Sequence, residues 1–587
     1  MENIHLKALQ SKIAASGIDL YYLNTCDYHL SEYVPEYFKT IAYFSGFTGS
    51  LATLLVSKDD AYIFVDGRYH TQADNQCLTN GVKVVKLGTK DALEPIEFIG
   101  KYYKNKVIGI DGKRTSINFV KELSKKDIKI KSLDIYSDII ENRTPLKKGP
   151  IYELDDKYTG LPRYKKIELI KHCLKGRSHV VNNLESIAYL LNLRSSDILY
   201  TPVFLSYLVF LDNEVYLFCD KSRFDEKTLD ALYEDGIVIR PYDSYYDFLN
   251  VISNKTVLLD ENKVNYETYI RIKGRENLIF NMRSYIEDMK SIKNNVEQVN
   301  SKKAHIRDGV AYLRFLMWLD SIDKTSVTEY DVACKIDEFR LSNGAFDLSF
   351  NSIVSYNENA AIIHYSPSKD NAKTLDNKGI LLLDTGGQYL QGTTDITRTI
   401  ALGPVEPIVK KHFSLVLKSM FNLSEFKFKR GISGFQIDAI ARQDLWAEGL
   451  DYRHGTGHGV GQVLSVHEGP PNIRYAHTDV RTEMVEIKPG MIMSDEPGIY
   501  FEGQYGIRCE NLLLCKKDFE NEYGEFLSFE TLTLVPFDTK LIDKDYLDDK
   551  TIAILNNYHQ KVYDTLLPYL SQEEAAYLRK LTEAIWK

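Results

Sequence analysis

The sequence predicts a mixed α/β (α+β) fold spread over several domains, and three observations carry that prediction. The chain has 587 residues, and at about 150 residues per domain it should hold several cores rather than one. Its first two regions alternate apolar runs of strand length with helical patterns, each ending in turn chemistry. Its third region opens on an amphipathic helix and gathers the glycine, histidine and acidic clusters.

The first region runs from about Ile4 to Arg143, with strands such as Ala61-Tyr62-Ile63-Phe64-Val65 closing at Asp66-Gly67. Thr144-Pro145-Leu146-Lys147-Lys148-Gly149-Pro150 then interrupts both helix and sheet, because its prolines cannot donate a backbone hydrogen bond, and it reads as a linker. A second α/β pattern holds Val215-Tyr216-Leu217-Phe218-Cys219 and Thr256-Val257-Leu258-Leu259-Asp260 and fades near Arg283. No exact repeat links the two regions. Between about Asp288 and Asp320, Ile306, Val310, Leu313 and Met317 form one stripe of a 3.6-residue period, and Leu555, Tyr558, Val562 and Leu566 form another in the tail. The expected domains are therefore 1–143, 144–287 and 288–587.

Composition narrows the function. Lys plus Arg number 73 against 82 Asp plus Glu, a net charge of −9 with no long basic block, so no nucleic-acid partner is expected. The 7 cysteines are odd in number and scattered without a CxxC pair, which disfavours a disulfide framework or a zinc ribbon and suits a reducing compartment. Glu2, Lys7 and Lys12 break up the apolar residues a secretory leader would need. The longest uncharged stretch, Thr40 to Ser57, is rich in Ser, Thr and Gly and falls short of a membrane span. A cytoplasmic protein without membrane attachment is expected.

The chemistry concentrates late in the chain, where His364, His412, His454, His458, His467 and His477 account for six of the 13 histidines. Ile380-Leu381-Leu382-Leu383 reads as a buried strand delivering Asp384, Gly386-Gly387 as a turn, and Thr393-Thr394-Asp395-Ile396-Thr397 as the returning strand. Taken alone, these two aspartates suit turn chemistry or an ion pair with Arg398 at least as well as a site. His454-Gly455-Thr456-Gly457-His458-Gly459-Val460-Gly461 sets two histidines among four glycines, without the spacing or the Lys-Ser/Thr of a phosphate loop. Lys488-Pro489-Gly490 turns into Met491-Ile492-Met493-Ser494, which presents Asp495-Glu496. Ile507 to Leu512 alternates with period two, putting Arg508 and Glu510 on one face. Four strand-borne carboxylates and a loop imidazole would repel one another in a core unless divalent ions neutralise them, and two such ions balance four carboxylates. Oxygen-rich ligation with one histidine favours Mn²⁺, Co²⁺ or Zn²⁺, and water shared by two such ions is a nucleophile near neutral pH.

The order and spacing of Asp384, Asp395, His458, Glu496 and Glu510 resemble those of the dinuclear pita-bread metallopeptidases, in their long cytosolic Xaa-Pro aminopeptidase (aminopeptidase P) form. Ser31-Glu32-Tyr33-Val34, Phe44-Ser45-Gly46-Phe47 and Asp66-Gly67-Arg68-Tyr69 in the first region are similar to that form, as are Asn192-Leu193-Arg194 with Asp197 and Pro202-Val203-Phe204 in the second. Leu532-Thr533-Leu534-Val535-Pro536 and Asn556-Asn557-Tyr558-His559 resemble its C-terminal extension.

The resemblance implies two creatinase-like domains before a pita-bread catalytic domain, a homodimer, and two divalent ions, Mn²⁺ first. Asp384 would chelate one ion, His458 and Glu496 the other, with Asp395 and Glu510 bridging. It also implies catalytic roles for His467 at the oxyanion, His364 at the leaving amide and His454 beside proline, with Arg508 bracing the site. The implied reaction is release of the first residue from peptides with proline second, by attack of a metal-bridging hydroxide. The alternatives are a prolidase, and beyond it a non-catalytic pita-bread binding protein, which would have lost ligands. The segment Asn357-Glu358-Asn359-Ala360-Ala361 departs from the family's glycine-containing stretch, and His412 and His477 read as surface or packing residues.

Overall fold

The computed structural model describes residues 3–475 and 484–586. The chain divides into two compact units, Met1–Asp155 with Leu161–Asp288, and Asp156–Gly160 with Met289–Lys587.

The first unit contains two six-stranded sheets. One comprises β1 (Leu20–Asn24), β2 (Thr53–Ser57), β3 (Ala61–Val65), β4 (Lys83–Lys86), β5 (Val107–Ile110) and β6 (Lys129–Ser132), in the order β4-β3-β2-β1-β5-β6. The other comprises β7 (Ser178–Val181), β8 (Tyr207–Leu211), β9 (Glu214–Phe218), β10 (Ile237–Arg240), β11 (Thr256–Leu259) and β12 (Leu278–Asn281), in the order β10-β9-β8-β7-β11-β12. Strand for strand this is the same topology, and the directions agree too: antiparallel among the first three strands of each sheet and parallel outside them. Central strands such as β1 and β8 are buried along almost their whole length, so they read as continuous apolar runs rather than alternations. The outer strands β4 and β6 are more exposed and lysine-bearing, which discourages edge-to-edge pairing.

The two halves meet through reciprocal bonds. Ile117 N–H donates to Val264 O and Tyr266 N–H to Thr115 O, while Asn118 N–H donates to Glu261 O and Glu267 N–H to Gly112 O. Ser116 and Asn265, which cap equivalent helices, pair with each other. The duplication hidden from residue identity is therefore plain in topology, because burial pattern and capping persist where side chains have diverged.

In the second unit the expected long helix is split. A short helix ends at Ser291, and Asn294 then caps α1 (Asn295–Ser321) in a reciprocal pair with Glu297. That cap supplies acceptors to a fresh N-terminus and so restarts the helix. Val310 and Leu313 of the expected stripe are buried, and Tyr312, Phe315 and Leu316 widen it. After α2 (Glu329–Ser342), β13 (Ile353–Tyr356), β14 (Ile380–Thr385) and β15 (Ile396–Ala401) form an antiparallel sheet with β14 central. Helices α3 (Pro407–Ser424) and α4 (Gly434–Ala447) precede β16 (Ile492–Asp495), the hairpin β17 (Gly498–Phe501) with β18 (Tyr505–Arg508), and the long pair β19 (Asn511–Asn521) and β20 (Gly524–Thr531). α5 (Asp549–Leu566) buries Leu555, Tyr558, Val562 and Leu566 against α3 residues such as Phe413 and Leu417, so the tail completes the core.

Two local expectations are corrected. The chain does not turn at Gly386-Gly387 but continues through Gly387–Tyr389, reverses, and returns at Gly392–Thr393. Gly386 is needed for clearance, since a Cβ there would lie 2.1 Å from Thr394 O. Arg508 and Glu510 do not share one continuous strand either: Arg508 ends β18, and β19 begins at Asn511. Between them Glu510 N–H donates to Thr397 O and Cys509 N–H to Pro497 O, so the link is pulled across to β15 and the chain changes sheet.

Candidate metal centre

Five elements of the second unit deliver one acidic cluster. Asp384 lies near the end of β14, opposite Thr397 of β15. Asp395 immediately precedes β15, Glu496 follows β16, and Glu510 sits in the link between β18 and β19. His458 comes from the glycine-rich loop, whose glycines serve close approach rather than looseness. A Cβ on Gly457 would lie 2.0 Å from Ser494 O, and one on Gly459 would lie 2.2 Å from Glu468 O. From α4, Arg442 pins the loop by donating to Tyr452 O and His454 O at 2.8 Å each, while Asp438 receives both Arg442 Nε and Thr456 Oγ1.

The orientation of His458 follows from its hydrogen bonds. Nδ1 lies 2.9 Å from Gly459 O, a pure acceptor, so Nδ1 carries the proton and donates. Nε2 then faces Asp395 Oδ2 at 3.5 Å and Glu496 Oε1 at 3.4 Å. One ligand atom each from Asp395, His458 and Glu510 falls within a mutual 4.8 Å. Glu510 Oε2 accepts from Thr397 Oγ1 at 2.8 Å, and Ser494 Oγ receives the His458 backbone N–H and reaches Glu496 Oε1.

Arg508 Nη2 donates to Asp384 Oδ2 at 2.6 Å, and its Nη1 donates to Tyr500 OH at 2.7 Å. Tyr500 OH in turn lies 2.8 Å from His454 Nε2, whose Nδ1 donates to Gly455 O. Of the other histidines, His467 stands edge-on to His458 with ring centroids 4.4 Å apart, and His364 is half-buried just beyond the turn Asn357–Ala361. His412 is a packing residue, stacked on Phe501 and bonded to Tyr505 OH. His477 lies outside the described residues.

The electrostatics are those of a site built for cations. Burial first, then Asp395, Glu496 and Asp384, push Glu510 well above the usual carboxylate range. Burial likewise raises Glu496 to about 7, with Asp395 adding to it against the pull of His458 and Arg508. Burial raises Asp384 even though Arg508 acts in the opposite direction. His458 moves up to about 9: burial alone would lower it, but the bond to Asp395 and the charge of Glu496 overcome that. Asp384 Oδ1 and Glu510 Oε1 are buried without a hydrogen-bond partner among the described residues. Orphaned acceptor oxygens beside His458 Nε2 suit divalent cations, which would take the place of the proton held at that nitrogen, since an unpaired buried acceptor is otherwise costly. Arg508 already offsets one of the four carboxylates, so two divalent ions would leave one positive charge for an anionic ligand.

From the sequence, Tyr500 and Thr397 had no role and Arg398 stood as an ion-pair partner for the two aspartates, whereas Arg398 bonds backbone carbonyls and Arg508 takes Asp384. Tyr500 links His454 to Arg508, Thr397 bonds Glu510, and buried Arg398 holds Glu510 O and Val535 O. Thr397 and Arg398 carried a faint signal in their nearness to Asp395; Tyr500 carried none that a hydrophobic strand residue would not share. Asp495, paired with Glu496 in the sequence reading, is fully buried with both oxygens unpartnered among the described residues, and burial holds it far above the usual carboxylate range.

The family model described as metallopeptidase family M24 matches residues 300–517, and the C-terminal region of that peptidase matches residues 525–585. Models of the creatinase/prolidase N-terminal domain match residues 5–141 and 142–297. The "Probable Xaa-Pro aminopeptidase P" of Tuber melanosporum is 35% identical over 605 residues, covering 97% of each chain. The "Xaa-Pro aminopeptidase 1" of Dictyostelium discoideum is 36% identical over 600 residues, covering 97% of this chain and 93% of the relative. The X-prolyl aminopeptidase of Caenorhabditis elegans, described as a cytosolic enzyme with a di-nuclear active site, superposes with a TM-score of 0.93 at 31% identity over 100% of both chains.

Proposed function

The chain belongs to metallopeptidase family M24, and from that premise we propose that it is a metal-dependent Xaa-Pro aminopeptidase, releasing the first residue of peptides whose second residue is proline. The observation that carries this reading over a prolidase is the full-length likeness to Xaa-Pro aminopeptidases, both N-terminal domains included.

Asp384, Asp395, His458, Glu496 and Glu510 would hold two divalent cations, Asp384 on one side, His458 and Glu496 on the other, and Asp395 and Glu510 between. The gathering of Asp395, His458 and Glu510, with Glu496 3.4 Å from His458 and orphaned oxygens on Asp384 and Glu510, supports that assignment. Bound there, the cations supply Lewis-acid polarisation of the scissile carbonyl and activation of the attacking water. The protein's own groups do the rest. Arg508 fixes Asp384 by a charge-assisted bond, and Thr397 keeps Glu510 turned inward, so the ligands are oriented before substrate arrives. His467, beside His458, suits stabilisation of the developing oxyanion, and His364 suits proton delivery to the leaving proline nitrogen. His454, expected beside proline, has Nε2 engaged by Tyr500 and so also steadies Arg508.

The three-domain division at 1–143, 144–287 and 288–587 belongs to the same reading, supported by the separate sheets of the first unit. So do a homodimer, a cytoplasmic setting and Mn²⁺ as the resident ion. Among the described residues no helix is long and apolar enough to cross a membrane. The test is to strip the protein with chelator, reload it with Mn²⁺, Co²⁺ or Zn²⁺, and offer Xaa-Pro-Pro tripeptides beside Xaa-Pro dipeptides. Release of the first residue from the tripeptide is expected; cleavage confined to dipeptides would make it a prolidase, and silence with every ion a binding protein.

A further inference from the structure

Glu329 is the first residue of α2 and is fully buried, yet it has no cationic partner at hydrogen-bond distance among the described residues. Its carboxylate instead collects neutral donors. Oε1 accepts from Tyr356 N at 2.6 Å and Asn359 Nδ2 at 3.0 Å; Oε2 accepts from Asn359 Nδ2 at 3.0 Å, Tyr365 OH at 2.8 Å and Lys373 N at 2.8 Å. A helix N-terminus favours an anion there, and satisfied oxygens offset the cost of burying it.

Three of the four donors flank one segment, and the fourth, Lys373 N, lies beyond it. Tyr356 and Asn359 lead into the segment that ends at His364, and Tyr365 follows it directly. The same turn is pressed against β18, where a Cβ on Gly506 would lie 1.9 Å from Ala360 O. The other end of α2 reaches the ligand strand: Arg340 pairs with Asp308 at 2.6 Å and donates to Thr385 O, the residue after Asp384. One helix therefore grips the His364 segment at its start and the Asp384 strand at its finish.

We propose that Glu329 is a positioning residue that fixes the backbone carrying His364 by clamping residues 356–365 on both sides of it. The inference rests on the aminopeptidase reading for its kinetic consequence, but not for its structural one. A carboxylate accepting five hydrogen bonds from four donor groups cannot be replaced by an amide, whose NH₂ would face donors and push the loop away.

The test compares wild type, Glu329→Gln, His364→Ala and the double variant on a Xaa-Pro-Pro tripeptide, with metal content measured throughout. Glu329→Gln is expected to lower kcat about 100-fold, the scale of a misplaced catalytic group, with KM and bound metal little changed. It should add nothing in the His364→Ala background. An equal loss in that background, or loss of metal, would overturn the proposal. Tyr365→Phe, which removes a single donor, should show a smaller kcat effect of the same kind, and full activity would count against the clamp even if Glu329→Gln does not fold. Independently of turnover, the His364 resonance in labelled-histidine NMR, assigned by its loss in His364→Ala, should move in Tyr365→Phe and Glu329→Gln. An unmoved resonance sinks the clamp, whereas absence of peptidase activity in wild type bears only on the functional reading.

Discussion

His458 shows how much of a site a single side chain can declare and how much it withholds. Its place among glycines marked it as ligand-facing in the sequence, but its tautomer comes from one backbone carbonyl, that of Gly459, which no motif specifies. Arg508 is similar: its nearness to Glu510 was legible, but neither the sheet change that parts the two nor its three-way contact with Asp384, Tyr500 and Thr397 was. Those contacts fix two residue-scale expectations. Glu510→Gln replaces an orphaned ligand oxygen with an amide nitrogen and should cut tripeptide turnover by more than about 100-fold with loss of one ion per chain, read by elemental analysis. Arg508→Lys keeps the charge but cannot fork between Asp384 and Tyr500, so metal affinity should weaken about 10- to 100-fold in competition with a chromogenic chelator. Wild-type affinity in that variant would reduce Arg508 to a charge.

Elements contribute clearance as much as direction. The strand that delivers Asp384 and the one that delivers Glu496 were readable from their apolar runs, because a buried strand advertises itself in composition. The sheet change at Cys509-Glu510 was not, since it depends on donors reaching Pro497 and Thr397 from strands distant in sequence. The restart of α1 at Asn294 lay in plain sight as Asn-x-x-Glu, a capping pattern outweighed in the periodicity reading by the apolar stripe beyond it. The glycines of the histidine loop pointed to a close backbone approach but not to what approaches: Gly457 is there so that the backbone of Ser494 can pass. Gly457→Ala should consequently cost about 1–3 kcal/mol by overpacking, seen in urea unfolding, and lower metal affinity by displacing His458. A neutral outcome in both would show that the two segments yield easily.

At the scale of the molecule, the duplicated sheets of the first unit and the acidic centre of the second divide the labour unevenly. The sequence could show the centre, whose chemistry requires particular residue types, but not the duplication, whose topology tolerates replacement of nearly every side chain so long as burial persists. All five proposed ligands lie in the second unit, so cation binding should stabilise that unit by mass action, about 4 kcal/mol at a thousandfold excess over Kd. The pH dependence has a definite sign. In the metal-free cluster Glu496 is raised to about 7 and His458 to about 9, with Asp384 and Glu510 also raised, so the folded state holds protons more tightly than the unfolded chain does. That proton-linked stability is complete at pH values below the unfolded ones and is lost as pH climbs through 7 and 9. Cations compete with those same protons, so their affinity rises over the same window. The melting difference between metal-loaded and chelated protein should therefore widen steadily from pH 6 to pH 9 in calorimetry at fixed free metal. A gap that stays constant or narrows would mean that the carboxylates and imidazole are not the groups the ions displace protons from, and the assignment of the centre would have to be abandoned.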